Sequence, residues 1–293
     1  MTRVLSALVL LPVVVGTIWF LPPIGTFVLA LVAALLAFSE YRTIARGLGV
    51  TVYGGIGGTA VVLACYTIWN GDRTAQTMWS SFANGGLSIT DTLAFHTNDL
   101  ALVLMSGLIV VGAASVARGR PVPGILADAA VTLFAPIYIG VPLGTLAWVR
   151  TDQLLDDRSW QGRVALLLLL LIIVISDSAQ YYTGRAFGRR PLSPEISPKK
   201  TVEGAIGGVV FGTLATIVGG RYVFGSPLLV LALLGVAISL LGIVGDLFES
   251  LLKRSAGVKD SSNLIPGHGG VLDRIDSWLF AAPVYFVFLR YFA

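Results

Sequence analysis

Residues 227–245 carry no charged side chain, and residues 164–175 are aliphatic without exception. Wound at about 1.5 Å per residue, a helix of about 20 mainly apolar residues crosses the roughly 30 Å of hydrocarbon in a bilayer. Backbone groups in hydrocarbon must be satisfied within the segment, which a helix does and an open strand does not. Nine runs of this kind can be marked, near residues 4–21, 23–39, 50–69, 100–117, 125–149, 164–183, 203–221, 227–249 and 277–292. The predicted fold is therefore an all-α integral membrane protein, a polytopic bundle of about nine transmembrane helices. Composition excludes an ordinary soluble domain: 12% of residues are charged, against about a quarter in soluble proteins.

The first run is followed within a few residues by a second and lacks an evident small-residue cleavage site, so a retained helical hairpin is expected rather than a signal peptide. The single Cys65 lies inside the third run, so no intrachain disulfide can form. With nine spans, fourteen of the twenty Lys and Arg residues fall on the face that holds the N-terminus and the loops at 184–203 and 250–277. Basic residues near span ends stay in the cytoplasm. The expected location is the cytoplasmic (inner) membrane with these loops inside.

Residues 1–150 read as a transmembrane scaffold and residues 151–293 as the region that carries chemistry. Glu40, Tyr41 and Arg42 close the second run; they are read first as an interfacial cluster, with a part in the site as the alternative. Residues 70–99 form the longest outer loop, and its His96 is read as a surface residue. In the seventh run Gly204, Gly208, Gly212, Thr216 and Gly220 follow one another at intervals of four, which lays small side chains along one helix face. That stripe predicts close helix packing, inside one chain or in a homodimer.

Charge returns abruptly in residues 245–276. Asp246 ends the uncharged run and is followed by Glu249 and Lys253, which a continuing helix aims at one side. Asp273 and Asp276 are three apart at the start of the last run and are expected to share a face. Asp177, set behind another aliphatic run, is a functional candidate because an acid in hydrocarbon costs about 2.5–3.5 kcal/mol; as a helix-end residue it would simply reach interfacial water. Oxygen-rich acids of this kind suit Mg²⁺, which is commonly held by one or two carboxylates plus substrate phosphates. They would equally balance Lys253, Arg254 and Arg274 in an ion-pair network. Ser197, Lys199, Lys200 and Thr201 precede a helix for which Thr201 is a plausible N-cap, and a helix N-terminus favours anions. The Gly267-His268-Gly269-Gly270 turn can approach a ligand closely. His268 as acid, phosphate donor or loop-ordering residue is not decided by the residues; a metal role is disfavoured because Mg²⁺ prefers oxygen.

The order Ser250, Lys253, Arg254, Lys259, Asp260, Ser262, Ile265, Pro266, His268, Gly269, Gly270, Asp273, Arg274, Asp276 resembles the C-terminal signature of the phosphatidate cytidylyltransferase (CDP-diacylglycerol synthase) family. SDSAQYYTGRAFG at 176–188, SPKKTVEG at 197–204 and GDLFES at 245–250 extend the likeness over residues 175–277. Gln180 and Val202 depart from the family's usual small residue and Trp. The resemblance implies a nucleotidyltransferase that joins CTP and phosphatidate into CDP-diacylglycerol and pyrophosphate, in phospholipid biosynthesis. It implies Mg²⁺ held by Asp246 and Asp273, with Asp276 beside them, and a second cation of undetermined identity. Asp246, Asp273, Lys253 and Asp177 are then the catalytic candidates. Ser197, Lys199, Lys200, Thr201, Arg254, Lys259, Asp260, His268, Gly269, Gly270 and Arg274 are the substrate-binding ones. No nucleic-acid partner is expected. A secondary transporter would also bury acids among Gly-broken helices, but it would show repeated halves and midplane charges, whereas here the charges gather at one face of the C-terminal half. A CDP-alcohol phosphotransferase is disfavoured by the absence of its DGxxAR motif.

Overall fold

Helices take up nearly all of the chain that can be described. The computed structural model describes residues 2–83, 99–117, 123–151, 160–265 and 269–292. Among them nine helices follow in order. They are α1 Thr2–Phe20, α2 Pro23–Gly47, α3 Gly54–Ala83, α4 Asp99–Ala117, α5 Ile125–Val149, α6 Gln161–Phe187, α7 Val202–Val223, α8 Leu228–Ser255 and α9 Leu272–Tyr291. Six of them, α2 and α4–α8, are long and apolar enough to cross a membrane by length and composition. The all-α membrane architecture is thus observed, while the full count of nine crossings rests on helices, α1, α3 and α9, that do not reach that threshold among the described residues. Helix α3 continues to Ala83, so its last turns occupy what the sequence suggested was loop; His96 lies outside the described residues.

One departure from the all-helical expectation is a small antiparallel hairpin of β1 Pro191–Ser193 and β2 Ser197–Thr201, with Pro191 opposite Thr201 and Ser193 opposite Ser197. Proline at the edge of so short a ribbon removes no ladder donor that the pair needs. The amide of Val202 donates to the Arg190 carbonyl at 2.9 Å, which locks the hairpin to the first turn of α7.

The C-terminal helices form the most closely packed part, α6 lying along α7, and α8 along both α7 and α9. The small-residue stripe is the reason. Gly204, Gly208, Gly212, Thr216 and Gly220 are all buried, and Ser176 Oγ of α6 donates to the Gly208 carbonyl at 3.1 Å. A Cβ on Gly212 would stand 2.2 Å from Ser239 Oγ of α8 and 3.1 Å from Ser176 Cβ of α6. Three helices therefore meet at one glycine, and the stripe is spent on packing inside the chain.

The N-terminal helices are tied to this bundle by polar links as well as apolar contact. Arg150, fully buried at the end of α5, donates from Nε to the Ile18 carbonyl at 2.8 Å and from Nη2 to the Leu21 carbonyl at 2.9 Å. A cation on the last carbonyls of a helix satisfies orphan acceptors and complements the helix dipole. Helix α5 contains a π-wound turn, Pro136–Gly140. Its Tyr138 ring packs 5.5 Å from Phe248 of α8 and 6.3 Å from Phe280 of α9. The ends of α2, α6 and α8 and the starts of α7 and α9 consequently collect at one end of the bundle, with the hairpin and the α8–α9 connection.

Candidate active site

Asp246, Glu249 and Lys253 lie along α8 three and four residues apart, as expected, but burial separates them. The Asp246 side chain keeps 32% of its exposure, Glu249 none and Lys253 10%. Lys253 Nζ bridges Glu249 on its own helix and Asp273 Oδ1 on α9, joining the two helices through a buried cation. Asp273 Oδ2 meanwhile accepts the Ser261 amide at 3.0 Å, the Ser261 hydroxyl at 2.8 Å and the Gly270 amide at 2.7 Å. With Lys253, two backbone amides and a share of the Ser261 hydroxyl on its two oxygens, this carboxylate is already satisfied, and its work is to hold both ends of the 261–270 connection. Glycine is needed here. Gly269 has φ 80°, and a Cβ on Gly270 would stand 2.1 Å from Ser261 Oγ and 2.4 Å from Glu40 Oε2.

That last contact favours, for Glu40, a part in the site over an interfacial cluster. Glu40 is 4% exposed. It accepts hydrogen bonds from Ser261 Oγ at 2.9 Å, Ser262 Oγ at 2.7 Å, the Val271 amide at 2.9 Å and the Leu272 amide at 2.8 Å. Tyr41, also buried, donates its hydroxyl to the Val131 carbonyl at 2.9 Å. Membrane-interface residues reach outward to water; these two turn inward, Tyr41 to α5 and Glu40 to the first turn of α9, which has no side-chain cap of its own and leaves donors for Glu40 to satisfy.

The other acids form a second group. Asp177 of α6, Asp246 of α8 and Asp276 of α9 are near enough to repel one another electrostatically, and Lys200 of β2 is the cation that acts on both Asp177 and Asp276. Lys200 Nζ forms an ion pair with Asp246. The hairpin delivers it there. Thr201 is the N-cap of α7, its hydroxyl oxygen accepting the Gly204 amide at 3.1 Å. Glu203 accepts the amides of Arg189 at 3.0 Å and Arg190 at 3.2 Å. Asp273 and Asp276 therefore face different neighbours. Three residues turn a helix by about 300°, and the remaining 60° is enough to send one to Lys253 and the other to Asp246.

Among the described residues no three His, Cys, Asp or Glu side chains gather as a ready metal cluster. The chemistry of the second group nevertheless fits a hard divalent cation: Lys200 pairs with Asp246 while Asp177 and Asp276 lie within its electrostatic reach, and Mg²⁺ characteristically takes one or two protein carboxylates and fills its remaining positions with water and phosphate oxygen. Asp273, whose oxygens are occupied, fits that role less well than Asp276.

Residues 1–292 match the model of a family described as the cytidylyltransferase family. The chain belongs to this family. Of its relatives, "Uncharacterized protein YnbB" of Escherichia coli (strain K12) is 38% identical over 193 residues, covering 66% of this chain and 63% of that protein. "Phosphatidate cytidylyltransferase" of Haemophilus influenzae is 45% identical over 139 residues, 44% of this chain and 46% of its own length. "Phosphatidate cytidylyltransferase" of Bacillus subtilis is 48% identical over 119 residues, 40% and 44% respectively. The matched stretch thus spans less than two thirds of each of these relatives.

The remaining expected residues of this cytidylyltransferase-family chain sit around the two groups. Ser197 opens β2, and Lys199 beside it is exposed. Arg254 is exposed at the end of α8, with Nη1 donating to the Val258 carbonyl at 3.3 Å, and Lys259, Asp260 and Arg274 are exposed as well. His268 lies outside the described residues. Sequence reasoning placed Glu40 in the site only as the lesser of two readings and passed over Ser261. A glutamate ending an apolar run gave a faint signal, but nothing local joins it to a serine 221 residues away.

Proposed function

We propose that this chain transfers the cytidylyl group of CTP to the phosphate of phosphatidate, forming CDP-diacylglycerol and releasing pyrophosphate. The observation that carries the reading is the group of Asp177, Asp246 and Asp276 around Lys200, beside a glycine connection, in a chain of the cytidylyltransferase family. The names of the Haemophilus influenzae and Bacillus subtilis relatives support it.

In this reaction an oxygen of the lipid phosphate attacks the α-phosphorus of CTP. The new phosphorus–oxygen bond forms as the bond to the β-phosphate oxygen breaks, and the electron pair leaves with pyrophosphate. No covalent enzyme intermediate is required. The protein's contribution is alignment and neutralisation of charge on the transferring and leaving groups. Lys199, Lys200 and Arg254 take the phosphates, Lys200 exchanging its Asp246 partner for a phosphate oxygen. Gly269, Gly270, Lys259, Asp260, Arg274 and His268 line the nucleotide. Mg²⁺, when bound, would be held by Asp246 and Asp276 with Asp177 behind them and would supply charge neutralisation on the phosphates. Lys253 and Asp273 hold the frame of the site. In this reading all nine helices cross the cytoplasmic membrane, and the fourteen-to-six bias of basic residues supports a site on its inner face.

The test is incubation of the purified protein with labelled CTP, Mg²⁺ and phosphatidate. Labelled CDP-diacylglycerol with stoichiometric pyrophosphate is expected. No lipid product, together with solute uptake into sealed vesicles, would refute the reading in favour of a transporter.

A further inference from the structure

Capping a helix usually takes a local Ser, Thr, Asp or Asn. The start of α9 is capped instead by a carboxylate from α2, Glu40, more than 230 residues earlier in the chain. Burying a carboxylate is expensive, and what offsets it here is the Ser262 hydroxyl, two backbone amides, a share of the Ser261 hydroxyl and the positive end of a helix. The distribution of those donors is informative. Ser261 and Ser262 lie where the connection leaves α8, and Val271 and Leu272 lie where it enters α9. One side chain therefore grips both strands of the connection at its neck, while Ile265 and Gly269 close it further out with an amide-to-carbonyl bond of 2.9 Å.

The neck is also shared. Ser261 Oγ lies 2.9 Å from Glu40 Oε2 and 2.8 Å from Asp273 Oδ2. A serine has one proton to donate, and neither ionised carboxylate can supply another. Glu40 and Asp273 thus compete for a single hydroxyl, so that a change at one is felt at the other. The same arrangement leaves no room for a side chain at Gly270.

We infer that Glu40 is a positioning residue for the nucleotide-binding connection, fixing its neck at residues 261–262 and 271–272 from the N-terminal half of the chain. The inference rests on the proposed role of this connection in holding CTP. Glu40 touches neither substrate; it acts through Ser261, Ser262 and the first turn of α9.

Glu40→Ala, Glu40→Gln and Ser262→Ala, purified and compared at equal folded concentration, test it by two independent measurements. The first is KM for CTP and KM for phosphatidate. Glu40→Ala should raise KM for CTP by about tenfold or more, as loss of a residue supporting a ligand typically does, and leave KM for phosphatidate within about twofold. Glu40→Gln and Ser262→Ala should shift in the same direction by less. The second is hydrogen exchange without substrates, where the amides of Val271 and Leu272 should exchange faster and those of the α7 stripe should not. A role confined to stability would lower the folded yield and leave the ratio of the two KM values unchanged; that ratio, unchanged in any folded Glu40 variant, overturns the inference. Should Glu40→Ala not fold, the Gln and Ser262 variants decide the matter by the same ratio. Wild-type protein that makes no CDP-diacylglycerol would sink the proposed function instead, and the exchange measurement alone would then report whether the neck is held by Glu40.

Discussion

Lys253→Met separates holding the frame from handling substrate. The lysine stem and methionine have similar bulk and flexibility, so packing is largely kept. What goes is the charge between Glu249, whose side chain is wholly buried, and Asp273, whose side chain keeps 7% exposure. Removing one partner of a buried ion pair costs about 3–5 kcal/mol, because the remaining charge is left unpaired. For a chain of this size that corresponds to a fall in melting temperature of roughly 6–20 °C. Asp273 retains the Ser261 and Gly270 donors, so Glu249 carries most of the loss. The double variant Glu249→Gln with Lys253→Met should accordingly regain more than half of the lost melting temperature. The assay is tryptophan fluorescence on heating in detergent, with turnover measured on the folded fraction of each variant. A single variant that melts with the wild type would refute the buried-charge argument, as would a double variant no more stable than the single. Regained turnover in the double variant would keep Lys253 out of phosphate binding.

Asp246→Asn and Asp273→Asn, which the sequence treats alike, should diverge: Asp246→Asn should abolish turnover at unchanged melting temperature, and Asp273→Asn should lose stability first, so equal behaviour in the two assays would contradict the two-group arrangement. Gly212→Leu should prevent assembly of α6, α7 and α8, whereas Val210→Leu, at a position 48% exposed, should not; equal melting temperatures would show the stripe to be incidental. Cysteines placed at the half-buried Ser193 of the hairpin and the exposed Leu264 of the connection should react with an impermeant thiol reagent in inside-out vesicles only, and labelling of intact cells would reverse the orientation.

Features set by neighbouring residues were legible in the sequence. The N-cap at Thr201, the buried stripe from Gly204 to Gly220, and the alignment of Asp246, Glu249 and Lys253 each depend on a helical repeat that the sequence displays. The partition of the acids was not legible, because a 60° difference between Asp273 and Asp276 acquires meaning only when α8 and the hairpin are in place. The part of Glu40 could not be decided for the same reason: its partners come from the far end of the chain. The hairpin at residues 191–201 was hidden by its three prolines, which read as loop, and the continuation of α3 to Ala83 by the polar residues that fill its last turns.

The π-wound turn of α5 separates two sets of attachments. Upstream, Asp128 Oδ1 accepts the Thr51 amide at 2.8 Å and Thr132 Oγ1 accepts the Tyr53 amide at 3.1 Å. Downstream, the Trp148 ring meets Phe286 at 4.5 Å and Arg150 holds the end of α1. A π turn contains one residue more than the α turn it replaces. Loss of one residue within 136–140 can therefore be absorbed by rewinding to α, with both halves kept in phase, whereas loss of one residue from 126–134 would rotate everything beyond it by about 100°. What rewinding would withdraw is the Tyr138 ring, which backs onto Phe248, the residue beside the buried Glu249. The extra residue thus makes the wall behind the acids adjustable by a one-residue deletion without disturbing the frame on either side.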